Sequence, residues 1–257
     1  MITVGIDVGA KNVKVVILKD NDIIWKNIGL MEIDRKKSVV EAFETCLAST
    51  GITKKDIHRV IATGAGEGIV DFAHRKSSVV TCDALGIIRL QPLVRTVIDI
   101  GANETRAIKC DQTGKVLDFA VNEKCAAGSG AFVEAMARAM EVSLEEFAGL
   151  SLTSSKSIPI NAQCAIFAES EVVSLVHEAT DRNDICRAVH DAMAGRIVAL
   201  ARRVRIEKEV ALIGGVARNR GMVDSLKREL EVDFILIENP EYIGAFGAAF
   251  QGAVISE

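Results

Sequence analysis

The feature that most constrains the fold is an internal repeat, which begins at Ile6 and again at Ile98. The first copy reads IDVGAKNVKVVILKDNDII and the second reads IDIGANETRAIKCDQTGKV. Each copy has a short apolar strand, then Asp-x-Gly-Ala, three further residues and a basic residue, followed by a second strand and a polar turn. Because the same strand–turn–strand pattern opens two parts of the chain, the sequence predicts a duplicated α/β fold.

The turn of each copy carries the residues suited to bind a ligand. A buried strand ends at Asp7 or Asp99, and the Gly that follows permits a tight turn with exposed backbone N–H groups. Such a turn can hold phosphate oxygens, while the Asp can hold Mg²⁺ through water. A plain hairpin with Asp-x-Gly as turn residues explains one copy equally well. Two copies favour a ligand between two halves.

The rest of the chain alternates strands and helices without a linker rich in Pro, Ser or Gly. The glycine-rich stretch TGAGEG, residues 63–68, is predicted to be a loop near a ligand or a hinge. A polar connection is expected at 32–36, a helix at 37–49, a strand at 59–62, strands over much of 96–121, helices over 128–204, and strand, helix, strand and helix from 210 onward. We expect two closely packed lobes, residues 1–94 with about 241–257, and residues 95–240.

A third glycine site lies in ALIGGVARNRGM, residues 211–222. An apolar strand runs into Gly214 and Gly215, and a helix pattern with basic residues follows. Close approach of this backbone to a flat ligand, or to phosphate at the helix N-terminus, is one interpretation. A tight turn between strand and helix is the other.

Composition excludes several classes of protein. The net charge is −4, so no basic surface points to nucleic acid. No apolar run reaches the length of about 18 residues that a membrane span needs, and the first residues form a strand pattern and not a signal peptide. We therefore expect a cytoplasmic protein with no membrane partner. The six cysteines include no CxxC pair, which disfavours a zinc ribbon or a thioredoxin-like site.

Taken together, these segments resemble the superfamily of actin, sugar kinases and heat-shock chaperone ATPases. GIDVGAKNVK resembles its first phosphate loop, VIDIGANETR its second and LIGGVARN its adenosine loop. Two further stretches, NEKCAAGSGAFVEAMA and CAIFAESEVVSLV, narrow the resemblance to activators of 2-hydroxyacyl-CoA dehydratases and to the related ATPase subunits of benzoyl-CoA reductase. The resemblance implies a duplicated two-lobed actin-like ATPase fold, with ribonuclease H-like lobes and a nucleotide cleft between them.

The resemblance also implies roles for the glycine loops. Asp7 and Asp99 would hold Mg²⁺ and orient the water that attacks ATP. The remaining nucleotide contacts would come from the first loop, the second loop and the adenosine loop in turn: Gly9, Ala10, Lys11, Asn12, Val13 and Lys14; Gly101, Ala102, Asn103 and Glu104; Gly214, Gly215 and Asn219.

The resemblance carried by the cysteine motifs implies a homodimer that bridges one 4Fe–4S cluster. Such a cluster takes four cysteines, and each chain would give two, Cys125 and Cys164. Both precede helix patterns, 130–140 and 166–177, whose N-termini favour thiolates. The implied activity is ATP-driven one-electron donation to an acyl-CoA dehydratase or reductase, with a ferredoxin or flavodoxin as the electron source. The other four cysteines are interpreted as small buried hydrophobes: Cys46, Cys82, Cys110 and Cys186.

Two departures from the family pattern keep alternatives open. Ala10 stands where the family often has a hydroxyl residue, and Asn103-Glu104 stands where stand-alone activators commonly have Gln-Asp. These changes favour an ATPase subunit within a benzoyl-CoA reductase-type complex. A small-molecule kinase of the same fold, with structural cysteines, is a further alternative, and a nucleotide sensor or scaffold is a third.

Overall fold

The structure is a computed structural model that describes residues 1–122, 128–154, 156–160 and 164–254. Its first sheet has five strands. They are β1 (Ile2–Val8), β2 (Asn12–Lys19), β3 (Asp22–Leu30), β4 (Ile57–Thr63) and β5 (Arg75–Lys76), in the order β3-β2-β1-β4-β5. β1 and β2 form an antiparallel hairpin that places Asp7 opposite Lys14, and β4 runs parallel to β1. The alternating Val and Ile side chains of β1 and β2 are buried, which fixes this register.

The second sheet repeats the topology of the first. Its strands are β6 (Thr96–Ile100), β7 (Thr105–Cys110), β8 (Val116–Asn122), β9 (Val210–Ile213) and β10 (Phe234–Leu236), in the order β10-β9-β6-β7-β8. Replacing each strand of the first sheet by the one five places later gives the second sheet. The duplication predicted from the repeat is therefore confirmed.

Eight helices complete the described part of the chain: α1 (Arg35–Thr50), α2 (Val79–Leu90), α3 (Gly130–Ala139), α4 (Leu144–Thr153), α5 (Ala165–His177), α6 (Arg182–Ala201), α7 (Arg220–Leu230) and α8 (Ile243–Val254). The predicted polar connection at 32–36 is wrong for its last two residues, since α1 begins at Arg35. The side chain of Asp34 accepts a hydrogen bond from the backbone N–H of Lys37 and so starts this helix early.

Close packing of helices on the first sheet depends on missing side chains. A Cβ placed on Gly247 of α8 would lie 1.8 Å from the carbonyl oxygen of Cys82 in α2, and a Cβ on Gly5 of β1 would lie 1.9 Å from the carbonyl oxygen of Ala245. No side chain fits at such distances. Gly247 and Gly5 therefore let α8 pack directly against the backbone of α2 and β1.

The contacts within the chain divide it into two compact units. One comprises Met1–Val97, Ile108–Asp118 and Glu238–Glu257, and the other comprises Ile98–Ala107 and Phe119–Ile237. The second unit has a large apolar core, built largely by helices α3 to α7, in which Phe132, Phe147 and Met136 are fully buried. The lobe boundaries given by the sequence, 1–94 with about 241–257 and 95–240, stay a prediction. None of the helices in the described residues is long and apolar enough to cross a bilayer.

Candidate functional site

The first predicted loop joins β1 to β2 and presents a partly buried ion pair. Asp7 lies at the end of β1, and the ammonium of Lys14 on β2 donates to its Oδ2 at 3.0 Å. The turn between them is closed by a hydrogen bond from the Gly9 N–H to the Asn12 carbonyl oxygen. Ala10 and Lys11 are exposed at its tip, Asn12 and Lys14 are half-buried, and Val13 is buried in the sheet.

The second predicted loop repeats this geometry with an arginine. Asp99 lies near the end of β6, and Nη1 of Arg106 on β7 donates to its Oδ2 at 2.7 Å. Nη2 of the same Arg106 donates to Glu104. The turn is closed by a hydrogen bond from the Gly101 N–H to the Glu104 carbonyl oxygen, and Asn103 is exposed at its tip while Ala102 is half-buried.

The role expected for the two turn glycines needs a correction. Neither Gly9 nor Gly101 has a left-handed φ, so neither turn requires glycine for its backbone conformation. The limited space around each one favours it instead. A Cβ on Gly9 would lie 3.0 Å from both the Asn12 carbonyl oxygen and the Lys14 ammonium, and one on Gly101 would lie 3.2 Å from the Glu104 carbonyl oxygen.

Two other glycines do adopt the left-handed conformation, and each lies close to an aspartate. Gly64 follows β4 with φ +90, and a Cβ there would lie 2.4 Å from Oδ1 of Asp7. Gly214 follows β9 with φ +84, and a Cβ there would lie 2.4 Å from Oδ1 of Asp99. Each carboxylate is thus placed between a glycine on one oxygen and a basic side chain on the other. The loop TGAGEG of the first unit is therefore the structural counterpart of the predicted adenosine loop in the second.

The adenosine loop continues from Gly214 into a 3₁₀ turn, Gly215–Arg218, and then into α7. Asn219 caps α7, because its side-chain oxygen accepts a hydrogen bond from the Met222 N–H at 3.0 Å. Gly215 is exposed and no atom lies within 4 Å of a Cβ placed on it. Asp99, the second loop and Gly214 therefore meet at one corner of the second unit, with Gly215 and Asn219 on the turn that leads away from it.

The N-terminus of α3 is hydrogen-bonded to the second loop. The Gly130 N–H donates to the Gly101 carbonyl oxygen at 2.9 Å, and the Ala131 N–H donates to the Ala102 carbonyl oxygen at 2.8 Å. The hydroxyl of Thr105 donates to the Gly128 carbonyl oxygen. The segment that follows the first cysteine motif is therefore bonded to the loop predicted to bind phosphate.

The cysteines divide into two groups. Cys125 lies outside the described residues. Cys164 lies at the N-terminus of α5, as its motif predicts. The structure shows that it is exposed and that its side chain caps no backbone group. The other four thiols are buried, as expected, and burial raises the pKa of each above its usual range: to about 11 for Cys46 and Cys110, and to about 12 for Cys82 and Cys186. Protonated buried thiols are poor metal ligands, so Cys164 is the chemically distinct one among these five.

Two residues of the site have no role predicted from the sequence. Each repeat contains a recognisable basic residue, Lys14 in the first copy and Arg106 in the second. The sequence predicts a contact for Lys14 but none for Arg106. Gly64 is placed in a loop near a ligand or a hinge, without a connection to Asp7. The first role could have been found from the repeat itself, since Arg106 occupies the position of Lys14 in the second copy. For Gly64, the one signal in the sequence is that it follows an apolar strand, as Gly214 does.

Sequence matches to known proteins agree with this geometry. A family model described as the BadF/BadG/BcrA/BcrD ATPase family matches residues 4–252. The activator of lactoyl-CoA dehydratase from Anaerotignum propionicum is 41% identical over 253 residues, covering 97% of this chain and 96% of that protein. A benzoyl-CoA reductase subunit from Thauera aromatica is 32% identical over 263 residues, covering 98% of this chain and 93% of that protein.

A solved structure agrees with these sequence matches. The activator of the 2-hydroxyisocaproyl-CoA dehydratase from Clostridium difficile, with bound ADPNP, has a TM-score of 0.92 and 35% identity, covering 98% of this chain and 94% of that one. The two five-stranded sheets thus have the actin-like ATPase fold that the resemblance implies. By its matched length, its identity to these relatives and its fold, the chain belongs to the BadF/BadG/BcrA/BcrD ATPase family.

Proposed function

We propose that this chain is an ATP-dependent activator that passes single low-potential electrons to an acyl-CoA dehydratase or reductase. The observation that carries the proposal is Cys164, an exposed thiol at the start of α5 in a chain whose other described cysteines are buried. The family match and the names of its relatives supply the context. ATP hydrolysis would drive the transfer of an electron that the donor cannot deliver by itself.

The nucleotide part of the proposal uses the two repeated loops. Asp7 and Asp99 would hold Mg²⁺ and orient the attacking water, and Lys14 would contact a phosphate oxygen. The backbone of residues 9–13 and 101–104 would supply N–H donors, while Gly214, Gly215 and Asn219 would border the adenosine. Such a site acts by positioning and charge stabilisation, which is how phosphoryl transfer is generally catalysed. The relative whose structure contains ADPNP supports the assignment of a nucleotide.

The residues around Cys164 fit a metal cluster at the protein surface. Its thiol lies at a helix N-terminus, where the free N–H groups and the helix dipole favour a thiolate. A bound 4Fe–4S cluster would supply a one-electron redox centre. Among residues 1–122, 128–154, 156–160 and 164–254, no group of three or more His, Cys, Asp or Glu side chains is placed to hold a metal. The cluster therefore needs ligands beyond Cys164, and Cys125 and the same pair from a second chain would provide them.

A homodimer follows from this count of ligands. One 4Fe–4S cluster takes four thiolates, and two-fold symmetry would supply two from each chain. Ile166 and Phe167 lie beside Cys164 in the first turn of α5 and expose 72% and 69% of their surface. Large apolar side chains exposed next to the thiol suit a protein interface. The electron source would be a ferredoxin or a flavodoxin.

The second candidate is an ATPase subunit within a benzoyl-CoA reductase-type complex. Its support is the 32% identity to the Thauera aromatica reductase subunit together with Asn103-Glu104 in the second loop. The two candidates share the ATPase and the cluster. They differ in whether the chain is complete as a homodimer or pairs with a related subunit.

The experiment is to measure iron and acid-labile sulfide on anaerobically purified protein, together with its mass in solution and its release of phosphate from ATP. About two irons and two sulfides per chain in a dimer are expected, because two chains share one four-iron cluster. Cys125→Ala and Cys164→Ala should each lose the iron. Cys46→Ala is the matched control, since it removes a buried thiol from the first unit and should keep the iron.

Two results would overturn the proposal. A protein that stays free of iron after anaerobic reconstitution cannot be the electron donor, and phosphate transfer to an added small-molecule acceptor would then favour a kinase. Iron that survives both Cys125→Ala and Cys164→Ala would refute the assignment of the ligands. A metal-containing protein that assembles only with a related subunit would favour the complex over the homodimer.

A further inference from the structure

The carboxylate of Asp99 has one oxygen bound to arginine and the other packed close to a glycine. Oδ2 accepts from Nη1 of Arg106 at 2.7 Å, and Oδ1 faces Gly214 so closely that a Cβ there would lie 2.4 Å away. Only 7% of Asp99 and 8% of Arg106 are exposed. In such a site an Arg–carboxylate pair has little water to compete with it, and its geometry is well defined.

Arg106 binds a second carboxylate at the same time. Its Nη2 donates to Glu104, the residue that ends the second loop. The planar guanidinium fixes the angle between its two terminal nitrogens, so Asp99 and Glu104 are held in a defined relation to each other. The side chain of Glu104 therefore links the end of the second loop to β7.

The first repeat has a different kind of contact at the same position. Lys14 approaches Asp7 through a single ammonium nitrogen, at 3.0 Å. An ammonium on a flexible four-carbon stem can reorient from one oxygen to another, while a guanidinium held by two carboxylates cannot do so without breaking both contacts. The two loops therefore share their main-chain geometry but differ in how firmly the aspartate is held.

We propose that Arg106 is a positioning residue that keeps Asp99 and Glu104 in one orientation throughout ATP turnover, while Lys14 exchanges between Asp7 and a phosphate oxygen. The inference rests on the proposed ATPase function. The two loops then differ in function. The second loop keeps the carboxylate of Asp99 oriented for Mg²⁺ and its water, and the first loop responds to the nucleotide. Arg106 touches neither nucleotide nor metal in this assignment and acts through the two carboxylates.

The test compares Arg106→Gln and Arg106→Lys with Arg228→Gln. Arg228 donates to Asp191 at 2.7 Å in the same unit, so it controls for the loss of an Arg–Asp pair of equal length. Removing a residue that orients a metal-binding carboxylate is expected to lower kcat and Mg²⁺ affinity by roughly 10- to 100-fold. At saturating Mg²⁺ the KM for ATP should stay within about 3-fold. Arg106→Lys should recover part of the loss, because a lysine can still reach Asp99.

The outcomes separate this inference from the proposed function. Equal kcat values and Mg²⁺ midpoints in Arg106→Gln and Arg228→Gln, with only the melting temperature lowered, would show a structural role and overturn the inference. So would an Arg106→Lys variant that is no better than Arg106→Gln.

If the unaltered protein releases no phosphate, the proposed function fails, and the Mg²⁺ midpoint for ADPNP binding then decides about Arg106. A roughly 10-fold higher midpoint in Arg106→Gln supports the inference. An unchanged midpoint, or no ADPNP binding by the unaltered protein, overturns it.

Discussion

The buried histidine of α6 makes the stability of this protein depend on pH in a way that can be calculated. His190 is fully buried, and its Nδ1 lies 2.9 Å from the carbonyl oxygen of Cys186. Because a carbonyl oxygen only accepts, the neutral ring carries its proton on Nδ1. Burial lowers the pKa of His190 from 6.5 to about 4, although the Cys186 bond and the nearby Asn219 side chain oppose the shift.

The direction and the size of this effect of pH on stability follow from the lowered pKa of His190. Between pH 6.5 and pH 4 the unfolded chain binds a proton at His190 that the folded protein does not, so stability falls as the pH falls. A shift from 6.5 to about 4 removes about 2 kcal/mol by pH 5 and about 3 kcal/mol by pH 4. Above pH 7 the residue contributes no pH dependence.

The assay is the free energy of unfolding in urea, measured at intervals from pH 7.5 to pH 4.5. The unaltered protein, His190→Gln and His177→Gln are compared, and the difference between curves isolates one residue from the many carboxylates that also titrate. His190→Gln should flatten the curve by about 2 kcal/mol between pH 7 and pH 5. His177→Gln serves as the control, since His177 is exposed in the last turn of α5.

A single result would refute the reasoning. If the curves of the unaltered protein and of His190→Gln run parallel between pH 7 and pH 5, the imidazole takes up its proton in the folded state as readily as in the unfolded one. Burial would then not exclude the charged ring, whatever the absolute stability of the variant.

Two further changes test the contacts of the loops. Gly64→Ala should lower the free energy of unfolding in urea by about 2 kcal/mol more than Gly51→Ala does. Both glycines have a left-handed φ, but only a Cβ at 64 would meet Asp7. Equal losses of stability in the two variants would contradict the contact. Thr105→Val should cost about 1–3 kcal/mol, because the buried Gly128 carbonyl loses its donor. Thr105→Ser should recover most of that loss, and a serine variant as unstable as the valine variant would show that the hydroxyl is unimportant.

The sequence predicts the parts of this fold that depend on local pattern. The repeat gives the two hairpins and their aspartates because a strand, a turn and a second strand are specified within about 20 consecutive residues. The helix that starts after Cys164 follows from its apolar spacing. The early start of α1 is not predicted, because one hydrogen bond, accepted by the Asp34 side chain from the Lys37 N–H, outweighs the polar character of the residues around it.

The contacts that complete the candidate site could not be predicted in the same way. Gly64 is distant in sequence from Asp7, and it reaches the aspartate only because β4 pairs in parallel with β1. Arg106 is visible in the sequence as a basic residue of the repeat. Its guanidinium binds both Asp99 and Glu104. This double contact depends on the length of each side chain and on the curvature of the turn between them, which no residue pattern specifies.

The bonds from α3 to the second loop have a consequence for how freely the sequence can vary there. Gly130 and Ala131 donate through backbone N–H groups, and Gly101 and Ala102 accept through backbone carbonyl oxygens. Every residue type has that acceptor and every one except proline has that donor, so the link survives almost any substitution that fits the space. Proline is ordinarily favoured at the first position of a helix, where the N–H has no partner. At residue 130 it would instead remove one of the two bonds that join the helix to the loop, so proline is disfavoured at the helix position where it is usually accepted.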